Sequence, residues 1–362
     1  MKIVGKRNET ILVDKTVKDE EVKVEECIDC SIVNCDFSFN KTDKTMLTLS
    51  NCVRCTVSKC KFHDKDTKGL FIKIVGDKTK DNVIEDCEFW NHTFNKENGG
   101  EPMRIGGSEF SGCKFNTIIR NCHFHDLKSD VETISIKSCG NVIENNKHED
   151  CKSSITIRHG GFNKIRNNLF IGSGGIRVFG DGNEITGNYH KNNHSTKFPP
   201  LIVSNGSVEK DPNFDEEGNP IGKKGSSHAA YARVKNNLIE GNTYDNCDGI
   251  CIMWGRKKKD NQKLPPIKGS IIKDNIIVDD DDTDSIFLVC SGEAKLEDSR
   301  CEANQLFGRN AKRGDILEQA IKILDARPEI KLPAVGRAMR EAMAAAAPTR
   351  FAEEERRFTE LT

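Results

Sequence analysis

One short phrase recurs nine times between residues 30 and 290 of this 362-residue chain. Each copy is a run rich in β-branched residues whose sixth position holds a cysteine or an asparagine. These sixth residues are Cys35, Cys60, Cys87, Cys122, Asn146, Asn168, Asn188, Asn242 and Asn275. A repeat of about 20 to 35 residues without a helical period indicates stacked coils of one supersecondary unit. Short β-branched runs separated by Gly and Asn turns therefore predict an all-β chain that folds as a parallel β-helix.

A second apolar run follows each copy and alternates with period two, so its polar members face outward along one sheet. One outward column is predicted to read Thr48, Lys73, Arg104, Ser135, Thr156 and Arg177. The neighbouring column is predicted to read Ser50, Val75, Gly106, Lys137, Arg158 and Phe179. Because adjacent strands lie about 4.8 Å apart, Lys137 and Arg158 are expected to be neighbours on this face.

Two like charges side by side do not stabilise a sheet, so the pair needs another explanation. One interpretation is an ordinary solvated basic stripe. The other is a cleft for a polyanion, in which one cation lowers the pKa of the other. The residues alone leave both open.

Composition limits the possible partners. The formal net charge of −1 argues against a protein that coats nucleic acid. No stretch of 18 apolar residues is present, so no membrane helix is expected. The first ten residues lack the apolar segment of a signal peptide, which predicts a cytoplasmic chain or one whose leader has been removed.

The chain contains 15 cysteines, which are expected to be reduced thiols rather than a disulfide framework. Cys27 with Cys30, and Cys52 with Cys55, have the spacing of zinc knuckles. The same cysteines recur one 25-residue coil apart. A ladder of small buried side chains explains that spacing equally well, and we favour it over zinc.

Two breaks in the repeat suggest domain organisation. Between residues 191 and 232 the repeat is interrupted, which predicts an inserted loop that forms a cleft wall. Near residue 291 the composition changes, since the first 290 residues contain three alanines and the last 72 contain 13. We therefore expect a β-helix over residues 1–290 and a small α-helical tail over 291–362. Helical faces are predicted at 316–324 and 335–343, and a third helix over 350–361.

The tail has several possible roles. It could cap the open end of the coil stack, which is expected soon after Val289. It could pair with another copy of the chain, or be a separately acquired or fused element. The sequence does not choose among these.

Several motifs in the central coils resemble the polysaccharide lyase family that contains chondroitinase B and many alginate lyases. They are the segments 98–108, 130–138, 157–160 and 174–180, which occur in the family's order and spacing. The resemblance covers about residues 82–255. It implies a right-handed parallel β-helix and eliminative cleavage of a uronic-acid polysaccharide.

The resemblance also implies roles for individual residues. Lys137 corresponds to the base that removes the C5 proton of the uronate, and Arg158 to the residue that assists the leaving glycosidic oxygen. Asn98, Asp130 and Glu132 correspond to the ligands of a calcium ion that neutralises the uronate carboxylate. These residue types suit an elimination reaction, because calcium prefers oxygen ligands and a lysine with a lowered pKa can act as a base.

Further substrate contacts are expected around this centre. Arg104 and Arg177 are expected to hold carboxylates or sulfates, for which a planar guanidinium is suited, or else to form salt bridges on the sheet. Trp254 is expected to stack on a sugar or to cover the sheet edge. His159 is either a structural histidine or a subsite contact.

These features favour a lyase acting on alginate or, as an alternative, on dermatan sulfate or a chondroitin-type polymer. A second alternative is a non-catalytic β-helix that binds acidic glycans or serves as a scaffold. A glycoside hydrolase ranks last, because it needs a second carboxylate across the scissile bond.

Overall fold

The computed structural model is a parallel β-helix, as predicted, and it is built from three long sheets. It describes residues 1–38, 41–94, 98–195, 198–247, 250–252, 265–279, 286–287, 296–308, 312–313, 321–324, 326–330 and 332–333. Each regular coil adds one strand to each sheet, and every strand pairs in parallel with the strand one coil away. A 3-10 turn at Ser108–Phe110 is the one helical element in these ranges.

Sheet 1 carries the second apolar run of each coil. Its strands are Lys2–Val4, Val22–Glu25, Leu47–Ser50, Ile72–Val75, Met103–Gly106, Glu132–Lys137, Ser154–His159, Ile176–Val178, Leu201–Val203, Ile250–Ile252, Ile286–Phe287 and Lys312–Arg313.

Sheets 2 and 3 carry the two halves of the repeated phrase. The strands of sheet 2 are Thr10–Val13, Ser31–Val33, Thr56–Ser58, Val83–Glu85, Ile118–Arg120, Val142–Glu144, Lys164–Arg166, Glu184–Thr186, Leu238–Glu240, Ile271–Lys273 and Arg300–Glu302. The strands of sheet 3 are Thr16–Lys18, Asp36–Ser38, Lys61–Lys65, Glu88–His92, His123–His125, Lys147–Glu149, Leu169–Ile171, Tyr189–Lys191, Thr243–Asp245, Ile276–Asp279, Asn304–Gly308 and Ile321–Ile323. A small two-stranded sheet joins Ile267–Lys268 to Leu296–Glu297.

The corner between sheets 2 and 3 is a single residue in the left-handed conformation. Asn34, Asn121 and Asn167 have φ values of 54°, 56° and 55°. Asparagine and aspartate tolerate this region better than most residues. The corner therefore explains why Asn, Asp or Gly so often precedes the sixth residue of the phrase.

The sixth residues themselves form a buried ladder along the inside of this corner. The amide of Asn146 donates to Asn168 Oδ1 at 3.0 Å, and the amide of Asn168 donates to Asn188 Oδ1 at 3.0 Å. In the earlier coils thiols take this position, since the backbone N–H of Cys35 donates to Cys60 Sγ at 3.4 Å. The ladder thus satisfies buried backbone groups that would otherwise lack partners.

Buried cysteine thiols donate hydrogen bonds to backbone carbonyl groups one coil away. Thirteen of the cysteines in the described ranges are free thiols. Cys55 Sγ donates to the carbonyl of Cys27 at 3.4 Å, and Cys52 Sγ donates to the carbonyl of Val24 at 3.3 Å. Two clusters of possible metal ligands occur in the same ranges, and neither contains a cysteine. These contacts support the ladder interpretation.

Aromatic rings form a second inner stack beneath sheet 3. Neighbouring ring centroids lie 4.3 to 5.1 Å apart along Phe37, Phe62, Phe89, Phe124, His148, Phe170, His190 and Tyr244. Offset stacking at such distances adds to the area that the rings bury. Together with the Ile, Val and Leu side chains of sheets 1 and 2, this stack fills the interior.

The coil stack continues past the boundary predicted near residue 290. Asn304 extends the asparagine ladder, because its side-chain oxygen accepts the Asn275 amide at 2.9 Å. Ile321–Ile323, predicted as part of a helix, is a strand paired with Asn304–Leu306. A short apolar run fits either element by periodicity, which is why the sequence misplaced it. The helices predicted over 335–343 and 350–361 lie outside the described residues, and the role of the tail stays a prediction.

The predicted interruption of the repeat is also present. Residues 204–233, here called the inserted segment, leave the stack after Leu201–Val203 and pack on the turn at residues 108–112. Asn213 Nδ2 donates to the carbonyl of Ser108 at 2.8 Å, and the backbone N–H of Gly222 donates to the carbonyl of Gly112 at 2.7 Å. Across the described ranges, no helix has the length and hydropathy that crossing a bilayer requires.

Candidate active site

Lys137 ends the longest strand pair of sheet 1, but it does not pair with Arg158 as predicted. The register is Ile136 with Ile157 and then Lys137 with His159, so Arg158 is an extra residue at a β-bulge. Simple alternation along each strand cannot reveal such a bulge, and bulges commonly redirect side chains beside active sites. Arg158 nevertheless stays close enough to Lys137 for its charge to affect the lysine.

The environment of Lys137 favours its neutral form. Burial lowers the pKa of Lys137 to about 8, and the positive charges of Arg104 and Arg158 act in the same direction. Glu132 and Glu101 oppose this shift. Within the described ranges the Lys137 ammonium has no hydrogen bond or ion pair. An unpaired lysine with a pKa near neutrality can accept a proton.

The first predicted column is confirmed residue by residue. Arg104 pairs with Ser135, Ser135 with Thr156, and Thr156 with Arg177. The two hydroxyl residues in the middle are fully buried although they point away from the interior of the coil. Arg104 and Arg177 flank them in the column, so the basic groups lie on one face.

Two buried carboxylates are interleaved with the basic groups. Glu132 Oε1 accepts a hydrogen bond from Arg177 Nη2 at 2.8 Å and lies 3.8 Å from Arg158 Nη1. Glu101 Oε1 accepts from Arg104 Nε at 2.7 Å. Around Lys137, the four basic side chains exceed the two carboxylates by two; the basic ones are Lys137, Arg104, Arg158 and Arg177. This face is therefore suited to an anionic ligand.

The residues expected to hold calcium come together only in part. Asp130 accepts hydrogen bonds from the backbone N–H groups of Gly99 and Gly100 at 3.0 and 3.3 Å. These bonds hold the turn that carries Asn98, which is exposed, beside Asp130. Glu132 is instead bound to the arginines. The oxygen donors fit calcium by type, and one buried oxygen of Glu101, three residues from Asn98, has no hydrogen-bond partner.

A cluster that the sequence did not predict lies beside this face. His159, Asp211 and His228 each offer a ligand atom within 4.8 Å of the others. Burial lowers the pKa of His159 to about 3, with the charge of His228 acting in the same direction. Burial would raise the pKa of Asp211, but hydrogen bonds from His228, Asn213 and other neighbours outweigh it and lower that pKa.

The inserted segment also brings an aromatic ring to the face. The guanidinium of Arg158 lies 5.4 Å from the ring centroid of Tyr231, and the His159 ring lies 5.6 Å from the same ring. Asp211, His228 and Tyr231 lie in no recognisable motif, and only the folded chain reveals their proximity. Trp254, predicted to contact substrate, lies outside the described residues.

These features define the class of the protein. It is a three-sheet parallel β-helix with a row of basic side chains along one sheet. Residues 6–289 match the family model described as chondroitinase B. Since the match covers more than three quarters of the chain, the protein belongs to the chondroitinase B family of polysaccharide lyases. This confirms the resemblance found in the sequence. A comparison with curated proteins finds no similar sequence.

Solved structures share the fold at low sequence identity. A complex of the alginate lyase AlyF-OU02 gives a TM-score of 0.63 at 15% identity, over 92% of this chain and 84% of that one. A mannuronic acid specific family 6 lyase from human gut microbiota gives 0.57 at 18%, over 90% and 85%. A mutant of the family 6 alginate lyase AlyGC gives 0.58 at 21%, over 94% of this chain but 55% of that one. The chain therefore spans about half the length of AlyGC.

Proposed function

We propose that this protein cleaves a uronic-acid polysaccharide by β-elimination, with Lys137 as the base. The observation that carries the proposal is the half-buried, unpaired Lys137, whose pKa is lowered to about 8 beside Arg104 and Arg158. A lysine that is partly neutral near physiological pH can take a proton from carbon when the product anion is stabilised nearby.

Neutral Lys137 takes the proton from C5 of the uronate, and the C5–H electron pair forms the C4=C5 double bond as the C4–O bond breaks. Arg158 protonates the leaving oxygen and regains a proton from water, and Lys137 releases the proton taken from C5 to water, so both side chains return to their starting forms. The position of Arg158 on a bulge, with one nitrogen 3.8 Å from Glu132 and the guanidinium near Tyr231, leaves it beside Lys137 rather than paired tightly to an acid.

The uronate carboxylate must be neutralised before its neighbouring C–H bond becomes acidic. Arg104 and Arg177 are the chain's own cations for this purpose, and each already has a carboxylate partner that would exchange for substrate. Asn98, Asp130 and Glu132 are the oxygen ligands that would hold calcium, which supplies further neutralisation when bound.

Alginate is the substrate we propose first, because the names of the similar structures above include alginate lyases and a mannuronic acid specific lyase. A dermatan sulfate or chondroitin-type polymer is the alternative, since the matching family model is that of chondroitinase B. Both polymers carry the uronate carboxylate that this face would bind.

The test is incubation with polymannuronate, polyguluronate and dermatan sulfate while the ultraviolet absorbance of the unsaturated product is recorded. We expect product from at least one polymer, none from Lys137→Ala, and full activity from the control Lys164→Ala, whose side chain pairs with Glu184 on sheet 2. Wild-type protein that binds these polymers without forming product would reject the lyase proposal and favour a glycan-binding role. The pairing of Glu132 with two arginines is the observation that keeps that alternative open.

A further inference from the structure

The cluster of His159, Asp211 and His228 joins two distant parts of the chain. His159 ends a strand of sheet 1, whereas Asp211 and His228 belong to the inserted segment. His228 Nε2 lies 3.3 Å from Asp211 Oδ1, and the two histidine rings meet edge to face with centroids 4.6 Å apart.

Burial and unpaired nitrogens distinguish this cluster from an ordinary surface contact. His159 is 4% exposed, and the side chains of Asp211 and His228 are 3% and 9% exposed. The Nδ1 atom of His159 is buried without a hydrogen-bond partner in the described part of the chain, and so is that of His228. The other ring nitrogen of His228, Nε2, faces Asp211 Oδ1 and lies 3.4 Å from Ser111 Oγ. Buried polar atoms are rarely left without a partner, so this site requires an explanation.

The geometry fits a tetrahedral metal ion. Two ligands that each lie about 2.0 to 2.1 Å from zinc at a tetrahedral angle are separated by about 3.4 Å, close to the distance between His228 and Asp211. Two imidazoles and one carboxylate are a common set for such an ion, with a fourth position left for water.

Supporting contacts hold the carboxylate in place. Asp211 Oδ1 accepts hydrogen bonds from Ser111 Oγ at 2.7 Å and from the Asn213 backbone N–H at 2.9 Å. Asp211 Oδ2 accepts from the Gly160 backbone N–H at 3.3 Å. Outer hydrogen bonds of this kind orient metal-binding carboxylates.

We propose that His159, Asp211 and His228 bind a divalent transition-metal ion of the zinc class, which fastens the inserted segment to the face that carries Lys137. This site is separate from the calcium ligands considered above, because imidazole nitrogen favours zinc-class ions over calcium. The ion would hold Tyr231 over Arg158 and thereby fix one wall of the cleft.

A second histidine cluster on sheet 3 provides a matched control. Glu88, His123 and His125 also lie within 4.8 Å of one another, but they are only half-buried. Their ring nitrogens already meet carboxylates, with His125 Nδ1 2.8 Å from Asp126 and His123 Nε2 3.3 Å from Glu149. The difference from the proposed site is that neither His123 nor His125 is among the described residues with a buried ring nitrogen lacking a hydrogen-bond partner.

The experiment is titration of the chelator-treated full-length protein with Co2+, followed by the visible absorption of tetrahedral cobalt and by displacement with Zn2+. We expect one equivalent to bind in wild type and in His123→Ala, and binding at least tenfold weaker in His228→Ala and in the milder His228→Gln. Zn2+ should raise the midpoint of thermal unfolding in wild type and His123→Ala only.

The readout needs no polysaccharide, so its result is independent of the lyase proposal. Absence of a tetrahedral cobalt spectrum in wild type, or equal binding by wild type and both His228 variants, would overturn the metal site. Loss of binding in His123→Ala but not in His228→Gln would assign the ion to sheet 3 and also overturn it.

Discussion

Glu132 and Arg177 form a 2.8 Å ion pair that reaches across the intervening strand of sheet 1. The glutamate side chain is 3% exposed and also lies 3.8 Å from Arg158. Thr156, on the strand between them, is fully buried. One carboxylate thus ties three successive coils together on the face that carries Lys137.

Replacing this carboxylate should affect both stability and pH dependence. In Glu132→Gln the two arginines lose their charged partner, which should lower the free energy of unfolding by about 1 to 3 kcal/mol. Glu132 also raises the pKa of Lys137. Its loss should therefore shift the rise of activity with pH to lower pH. Urea unfolding and a pH–rate profile measure the two effects. Glu184→Gln, in an exposed pair, should change stability by less than about 0.5 kcal/mol.

The activity of the wild type should rise with pH. The base form of Lys137 increases as the pH passes its pKa of about 8, so kcat should climb between about pH 7 and pH 9 and then level off. The measurement is initial rate at saturating substrate over that interval. A rate that falls through this interval would contradict Lys137 as the base.

Removal of Arg104 should shift that profile in the opposite direction from removal of Glu132. The charge of Arg104 is the largest influence after burial that lowers the pKa of Lys137. In Arg104→Ala the increase of kcat with pH, here called the rising limb, should therefore move to higher pH. The KM should also increase if this arginine holds a substrate carboxylate. Lys73→Ala, one coil earlier in the same column, is the control and should leave the limb in place. Equal shifts in both variants would mean that general surface charge sets the pKa.

Calcium dependence can be tested through Asp130. If Asn98, Asp130 and Glu132 hold calcium, a calcium chelator should abolish most activity, and added Ca2+ should restore it in wild type. Asp130→Ala should not be restored, because it lacks a ligand and also loses the bonds that hold Gly99 and Gly100. Full activity in the chelator would show that the arginines neutralise the carboxylate without an ion.

The asparagine ladder should be a main source of stability. Asn168 accepts the backbone N–H and the side-chain amide of Asn146, and it donates to the carbonyl of Ile143 at 2.9 Å. Asn168→Ala leaves these buried groups unpaired at about 1 to 3 kcal/mol each, so the total loss should exceed about 3 kcal/mol. Lys164→Ala, in the same coil but exposed, should unfold like wild type. A loss below about 1 kcal/mol would show that water replaces the missing amide.

Successive coils differ in length but repeat the same strand pattern, which explains why much of the fold was predictable from the sequence. Thr48, Lys73, Arg104 and Arg177 share a column because successive coils repeat the same alternation in phase. The bulge at Arg158 was not predictable, because the alternation of apolar and polar residues through Ile157, Arg158 and His159 is the same with or without a bulge. Asp211 and His228 were not predictable as site residues, because their partners lie about 50 to 120 residues away in the sequence. The continuation of the ladder to Asn304 was not predictable, because the alanine-rich composition beyond residue 290 indicates a different kind of element.

The one-residue corner between sheets 2 and 3 restricts how such a chain can diversify. A left-handed residue followed at once by a ladder side chain has no room for extra residues, so that corner must keep its length in every coil. New chain can be accommodated at the two corners that flank sheet 1, which is where the turn carrying Asn98 and the inserted segment occur. Evolution of this scaffold can therefore lengthen the segments on both sides of sheet 1 while the strands of sheet 1 stay unaltered.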